Sequence, residues 1–319
     1  MIESNLDFYA PFILNTNLFK QLPVAETEKF KKLAKLTPFS SHNILEFSAL
    51  QPSTLDFSVN IVDYNFRFNE NFLQHTQQLI LANWRNNQML QKHIADAWLE
   101  FDSQKDFYSE SIFFTIKNLN HRQPAIIHSF LKQLPTELEN SVLKQLEIFL
   151  TQLPEKAIIS HIGIMSSREN APLRINIKNL DSDFLSMVKK WFPQTPAIIS
   201  TLIKHADKLT LTLDITANGV DTTRFGIECF FNEQHPNYPA QKNLLQTLVE
   251  NELCGKNTLD TALGWIDVLP SKKIVADQYL SSLIHSYVWR IINHIKIVVK
   301  QTEIEAKIYL SFGHQWKMK

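Results

Sequence analysis

Two periodicities take turns along this chain. Stretches whose apolar residues recur every three or four positions alternate with stretches in which every second residue is apolar, the signatures of amphipathic helix and half-buried strand. Residues 16–36 read as helix, with Leu18, Phe19, Leu22, Phe30, Leu33 and Leu36 on one face. The runs "NILEFSAL" (43–50) and "LDFSVNIVD" (55–63) follow, joined by a short "QPST" turn. Residues 68–96 are helical again, with a stripe through Phe72, Leu73, Leu79, Ile80, Trp84, Leu90 and Ile94. The strands "AWLEFD" (97–102) and "SIFFTIK" (111–117) come next. A helix at 124–134, broken at Pro135, and a second reaching about 152 precede "AIISHIGIM" (157–165) and "LRINIKN" (173–179).

Helices at about 181–192 and 195–206, separated by Pro193 and Pro196, lead into "KLTLTLDIT" (208–216) and "RFGIECFF" (224–231). Asn218-Gly219 between these strands is a hairpin turn signal. A helix over 239–254, with Gly255 as its C-cap, and further helical turns to about 284 precede "VWRIINHIKIVVK" (288–300) and "EIEAKIYLSF" (303–312). The order helix, strand, strand thus occurs five times. Short connections make each strand pair an antiparallel hairpin, and ten antiparallel strands curl readily, closure removing their exposed edges. The expectation is an α+β fold: a ten-stranded antiparallel β-barrel with helices outside, formed as one domain over residues 1–319.

Alternation divides each strand into two faces. The apolar set includes Leu45, Phe57, Leu99, Phe114, Ile175, Leu213, Ile227 and Leu310 and should pack against the helices. The opposite set then faces inward: Glu46; Asp56 and Ser58; Trp98, Glu100 and Asp102; Phe113 and Lys117; His161; Arg174, Asn176 and Lys178. It continues with Asp214, then Arg224, Glu228 and Phe230, then His294 and Lys296, and ends with Lys307 and Tyr309. A ten-stranded barrel is too wide to be filled by short side chains alone, so these residues would line a cavity. One face of an open sheet can equally be solvated, and a single strand such as "PLRINIKNL" fits either arrangement.

Composition narrows the chemistry. Lys+Arg and Asp+Glu both total 32, so bulk charge favours neither nucleic acid nor a membrane surface. The six glycines are too scattered for a P-loop or a dinucleotide fingerprint, which need clustered glycines beside phosphate. A phosphorylated ligand would have to be held by side chains. Cys229 and Cys254 make no disulfide framework or metal spacing and fit a reducing compartment. The eleven histidines show no HExxH pattern, so no protein metal site is expected. With no signal-peptide pattern and no apolar run of about 18 residues, a cytoplasmic location is expected.

Five helix–strand–strand units building such a barrel resemble the ABBA, or PT-barrel, aromatic prenyltransferases, whose members include indole, hydroxybenzoate and cyanobactin-type peptide enzymes. The resemblance is architectural and extends over almost the whole chain. It implies an allylic diphosphate held in the lumen by Lys and Arg from several strands, with Mg²⁺ as a candidate companion, and an aromatic or peptide acceptor. The matching cations are Lys117, Arg174, Lys178, Arg224, Lys296 and Lys307, and Lys307-Ile308-Tyr309 resembles the family's Lys-x-Tyr strand pattern. Tyr309, Trp98, Phe113 and Phe230, with His161, would shield the allyl cation or meet the acceptor, and Glu100 or Glu228 would serve as base. Physically, a leaving diphosphate needs fixed positive charge in a water-poor cavity, and an allyl cation needs aromatic faces. The chain departs from the family in its scarcity of tyrosine: of seven, only Tyr309 clearly shares the inner parity. A peptide- or small-ligand-binding accessory protein, or a tailoring enzyme of other chemistry on the same barrel, fits the same pattern.

Overall fold

The computed structural model describes residues 5–61, 75–102, 111–117, 127, 131–132, 139–165, 173–180, 184–233, 238–271, 284–301 and 303–318. Eleven strands occur among them. In chain order they are β1 (His42–Ser48), β2 (Asp56–Ile61), β3 (Ile94–Phe101), β4 (Ser111–Ile116), β5 (Ile158–Met165), β6 (Leu173–Lys178), β7 (Lys208–Thr216), β8 (Gly219–Phe230), β9 (Asp267–Pro270), β10 (Ile284–Lys300) and β11 (Glu303–Met318). Each pairs antiparallel with its chain neighbour from β1 to β8, β8 pairs with β10, and β10 with β11. β11 returns to β1 with Leu310 opposite Leu45, which closes a ten-stranded ring. The expected barrel is present.

The outward face of the ring is the apolar parity. Leu45, Phe57, Leu99, Phe114, Ile175, Leu213, Ile227 and Leu310 are all buried there beneath a layer of helices. Aromatic pairs mark the seams between layers. Phe30 of helix Val24–Leu36 meets Phe57 edge-on at 5.4 Å, and Trp84 of helix His75–Asn86 meets Phe114 at 6.2 Å. Phe192 lies 4.3 Å from Phe225, and Trp265 lies 6.3 Å from Phe312 while donating its indole N–H to the Ser311 carbonyl. Helix Asn140–Leu150 turns Val142, Leu143, Leu146, Phe149 and Leu150 inward and packs on β7 and β8.

Several boundaries differ from the sequence expectation. The region 16–36 is two helices, Asn17–Gln21 and Val24–Leu36, because Pro23 cannot continue the first. Strand β3 begins at Ile94, after a helix break at Asn87, whose side chain caps Gln88–His93. Helix Pro239–Glu250 ends through Glu252, which takes φ 60 while Leu253 N–H bonds the Leu248 carbonyl. Gly255, expected as that C-cap, instead precedes the next helix, Lys256–Leu263. Of the helical turns expected to run on to about 284, Lys256–Leu263 is present, Asp267–Pro270 instead forms β9, an edge strand on Tyr287–Arg290 outside the ring, and 272–283 lie outside the described residues. Near the end of β11, Gly313 and His314 are buried, while Lys317 is exposed. The expected helix at 124–134 lies mostly outside the described residues.

Candidate active site

The inward parity encloses a cavity of about 580 Å³. Of the thirteen residues singled out from sequence, twelve line it. They are the carboxylates Glu100 and Glu228, the cations Arg174, Lys178, Arg224, Lys296 and Lys307, and the rings of Trp98, Phe113, His161, Phe230 and Tyr309. Lys117 does not: β4 ends at Ile116, and Lys117 is exposed, its backbone N–H bonding the His93 carbonyl.

Charge is segregated around the ring. All six Lys and Arg side chains on the cavity wall (the five above and Lys300) come from β6, β8, β10 and β11. Glu46, Asp56, Glu100 and Asp102 come from β1, from β2, and from β3 and its C-terminal edge, a fifth wall carboxylate, Glu228, sits on β8 among the cations, and the wall carries no Lys or Arg on β1 to β5. A second gradation runs along the barrel axis. From the end where β7 turns into β8, the staves pass from charge to rings: Arg224 and Glu228 before Phe230, Lys296 before His294, Lys307 before Tyr309, Glu100 before Trp98. Lys178 is placed among the rings, its Nζ 5.9 Å from the Phe230 centroid.

Most of these cations are already engaged. Arg174 makes a bidentate pair with Asp214, Nε to Oδ1 at 2.8 Å and NH2 to Oδ2 at 2.9 Å, with both side chains buried. Lys307 bonds Glu46 Oε1 at 2.5 Å. Glu228 accepts from Lys296 Nζ at 3.2 Å, from Thr212 Oγ1 at 3.0 Å and from Asn176 Nδ2 at 3.0 and 3.2 Å. Burial alone would raise the Glu228 pKa, but the charges of Lys296, His294 and His161 and the Lys296 hydrogen bond outweigh it and hold the carboxyl at about 2. Glu46 stands at about 2 for parallel reasons: burial opposes, while Lys307, a Tyr309 hydrogen bond and Lys296 prevail. Arg224 has no carboxylate partner among the described residues, and neither has Lys178.

Two histidines, His294 and the half-buried His42, lean the other way. Burial holds both His294 and His42 at about 4, against partial opposition from Glu228 and from Asp96 respectively. Between pH 4 and 6.5 the unfolded chain therefore binds protons on both that the folded protein refuses, so stability rises with pH across that window. Below it, Glu46 and Glu228 add a loss of stability as pH falls from about 4.5 toward 2. The thermal midpoint should climb from pH 4 to 6.5 with no further gain from these histidines above about 7. A midpoint that is flat or falling over pH 4–6.5 by circular dichroism would contradict these assignments.

No protein-family model matches the sequence, and no curated protein matches it either. Solved structures do. The 5-dimethylallyltryptophan synthase of Streptomyces coelicolor aligns over 93% of this chain and 94% of its own, at 8% identity and TM-score 0.52. AnaPT of Neosartorya fischeri aligns over 97% and 92%, at 10% identity and TM-score 0.56. PriB, solved with product diphosphate, aligns over 96% and 95%, at 11% identity and TM-score 0.54. The chain has the PT-barrel fold. At such identities the likeness concerns architecture, and chemistry must be argued from this chain's own lumen.

Three wall residues of this PT barrel went unnoticed in the sequence. Ile44 and Lys300 share the parity of Glu46 and of Lys296 and were legible by extending those strands one step. Asn293 was not, because β10 bulges between Ile292 and His294 and breaks the two-residue period there. Two glycines shape the wall by absence. A Cβ on Gly163 would come within 2.4 Å of the Phe113 ring, and one on Gly226 within 2.6 Å of Lys296 Cε, so both side chains lie flat over glycine. For Mg²⁺ the wall offers no cage of its own. Among the described residues no three His, Cys, Asp or Glu groups converge as ligands, and Glu46 and Glu228 are committed to lysines.

Proposed function

We propose that this PT barrel transfers a prenyl group from an allylic diphosphate to an aromatic or peptide acceptor within its lumen. The observation that carries the reading is the one-sided cation wall on β6, β8, β10 and β11, facing a lumen whose other end is ringed by aromatics. As the allylic C–O bond breaks, negative charge grows on the diphosphate, where Arg224 at the charged end offers charge not neutralised by a carboxylate partner among the described residues; Lys178, also without such a partner, reaches the diphosphate from the ring end. Positive charge grows on the allyl fragment, and Tyr309, Phe230, Phe113 and Trp98 supply ring faces for it. Arg174, Lys296 and Lys307 act mainly by fixing the wall, since each is tied to a carboxylate. Lys117 drops out of the candidate set because it lies off the cavity.

Calorimetry with dimethylallyl and geranyl diphosphate tests the anion site, and mass spectrometry of tryptophan, tyrosine and short aromatic peptides incubated with each donor tests transfer. Binding together with a prenyl mass increment is expected. If neither diphosphate binds, the transfer reading fails, and a lumen that serves as a carrier for other ligands replaces it.

A further inference from the structure

The β10 bulge does more than disturb the register. It turns two consecutive side chains, Asn293 and His294, toward the lumen. Asn293 Nδ2 donates to Ser311 Oγ at 2.8 Å, so its amide oxygen is the atom 2.7 Å from His294 Nδ1. An amide oxygen only accepts, so with the amide in this orientation Nδ1 carries the ring proton and Nε2 keeps its lone pair. That Nε2 is buried without any hydrogen-bond partner, on a residue 6% exposed. Tyr309 stacks on the ring at 4.0 Å and Phe230 lies 4.9 Å away, which fixes its plane. A buried acceptor with no partner is rare in a folded protein unless a ligand completes it.

We propose that His294 Nε2 is the base that removes the acceptor's proton. This rests on the transfer reading above and replaces the sequence-derived candidate Glu228, whose oxygens are filled by Lys296, Thr212 and Asn176. In the step, the bond from the allylic carbon to the diphosphate oxygen breaks and its electron pair leaves with the diphosphate. An electron pair of the acceptor forms the new bond to that carbon. The acceptor's N–H, O–H or ring C–H proton passes to Nε2, and its bonding pair stays on the acceptor. The imidazolium so formed faces Glu228 and Glu46, which favour it, and Lys296 and His161, which oppose it. Burial keeps the imidazole neutral at pH 7. A bound diphosphate adds negative charge nearby and brings the ring closer to its working range.

Two measurements test this. In His294→Gln, dimethylallyl diphosphate binding by calorimetry should stay within about twofold of the parent. Its kcat for transfer should fall about 10²–10⁴-fold with KM little changed, and added imidazole should restore part of it. Transfer at the parent rate overturns the proposal, whereas a parent protein that binds no diphosphate overturns the transfer reading instead. The second measurement needs no turnover: ¹⁵N-edited spectra of the histidine rings at pH 7 should show His294 neutral with its proton on Nδ1. A proton on Nε2 overturns the assignment.

Discussion

Replacing Arg174 by methionine is expected to destabilise the barrel by about 3–5 kcal/mol, the range for removing one partner of a buried ion pair. The magnitude follows from what is left behind. Asp214 is buried and receives two guanidinium bonds, and without them its carboxylate stays buried with its counter-charge removed. Burial also works against the guanidinium, yet Asp214 raises its pKa above the ordinary value, so the pair stays ionised throughout the neutral range. The double variant Arg174→Met with Asp214→Leu should recover most of the loss, because both charges then vanish together. Urea denaturation followed by tryptophan fluorescence separates the cases. An unchanged midpoint in the single variant would mean that the pair contributes nothing to folding. It follows that lost activity in an Arg174 variant is no measure of diphosphate binding unless folding is checked first.

Arg224→Ala should do the reverse: leave the urea midpoint nearly unchanged and weaken dimethylallyl diphosphate binding by about 10- to 100-fold. Hydrogen bonds to a charged group contribute about 1.5–3 kcal/mol, and Arg is suited to bidentate contact with phosphate oxygens. Arg224 has no carboxylate to abandon among the described residues, so its guanidinium can turn to an anion without breaking a pair. The difference between parent and variant should narrow as salt is raised, since part of the contact is screened. Unaltered affinity in Arg224→Ala would remove this residue from the anion site.

Alternation in "LRINIKN" separates Leu173, Ile175 and Ile177 from Arg174, Asn176 and Lys178, and the closed ring decides what each face meets: the first set is buried on the outer side and the second lines the lumen. Parity, however, is a property of one strand, and it says nothing of which staves meet. The pairings Arg174 with Asp214 and Lys307 with Glu46 join residues 40 and 261 positions apart, set by barrel closure and cross-strand register. The same blindness explains Lys117, whose parity was right although its strand had already ended. Asn293 was hidden for the opposite cause: the strand continued, but its period did not. The segment "DVLP" at Asp267–Pro270 gave too short a run to be told from the end of a helix, and only its pairing with β10 makes it a strand.

Arg224 on β8 and Lys178 on β6, which have no carboxylate partner among the described residues, stand across the lumen from the carboxylates of β1 to β3, held by side chains anchored in a closed sheet. Any occupant with separated charge therefore experiences a torque before it makes a single contact. Turned end for end, it would press like charges together, a mismatch of several kcal/mol. A chain with equal numbers of acids and bases thus still places its uncommitted cations and its β1 to β3 carboxylates on different sides of one lumen.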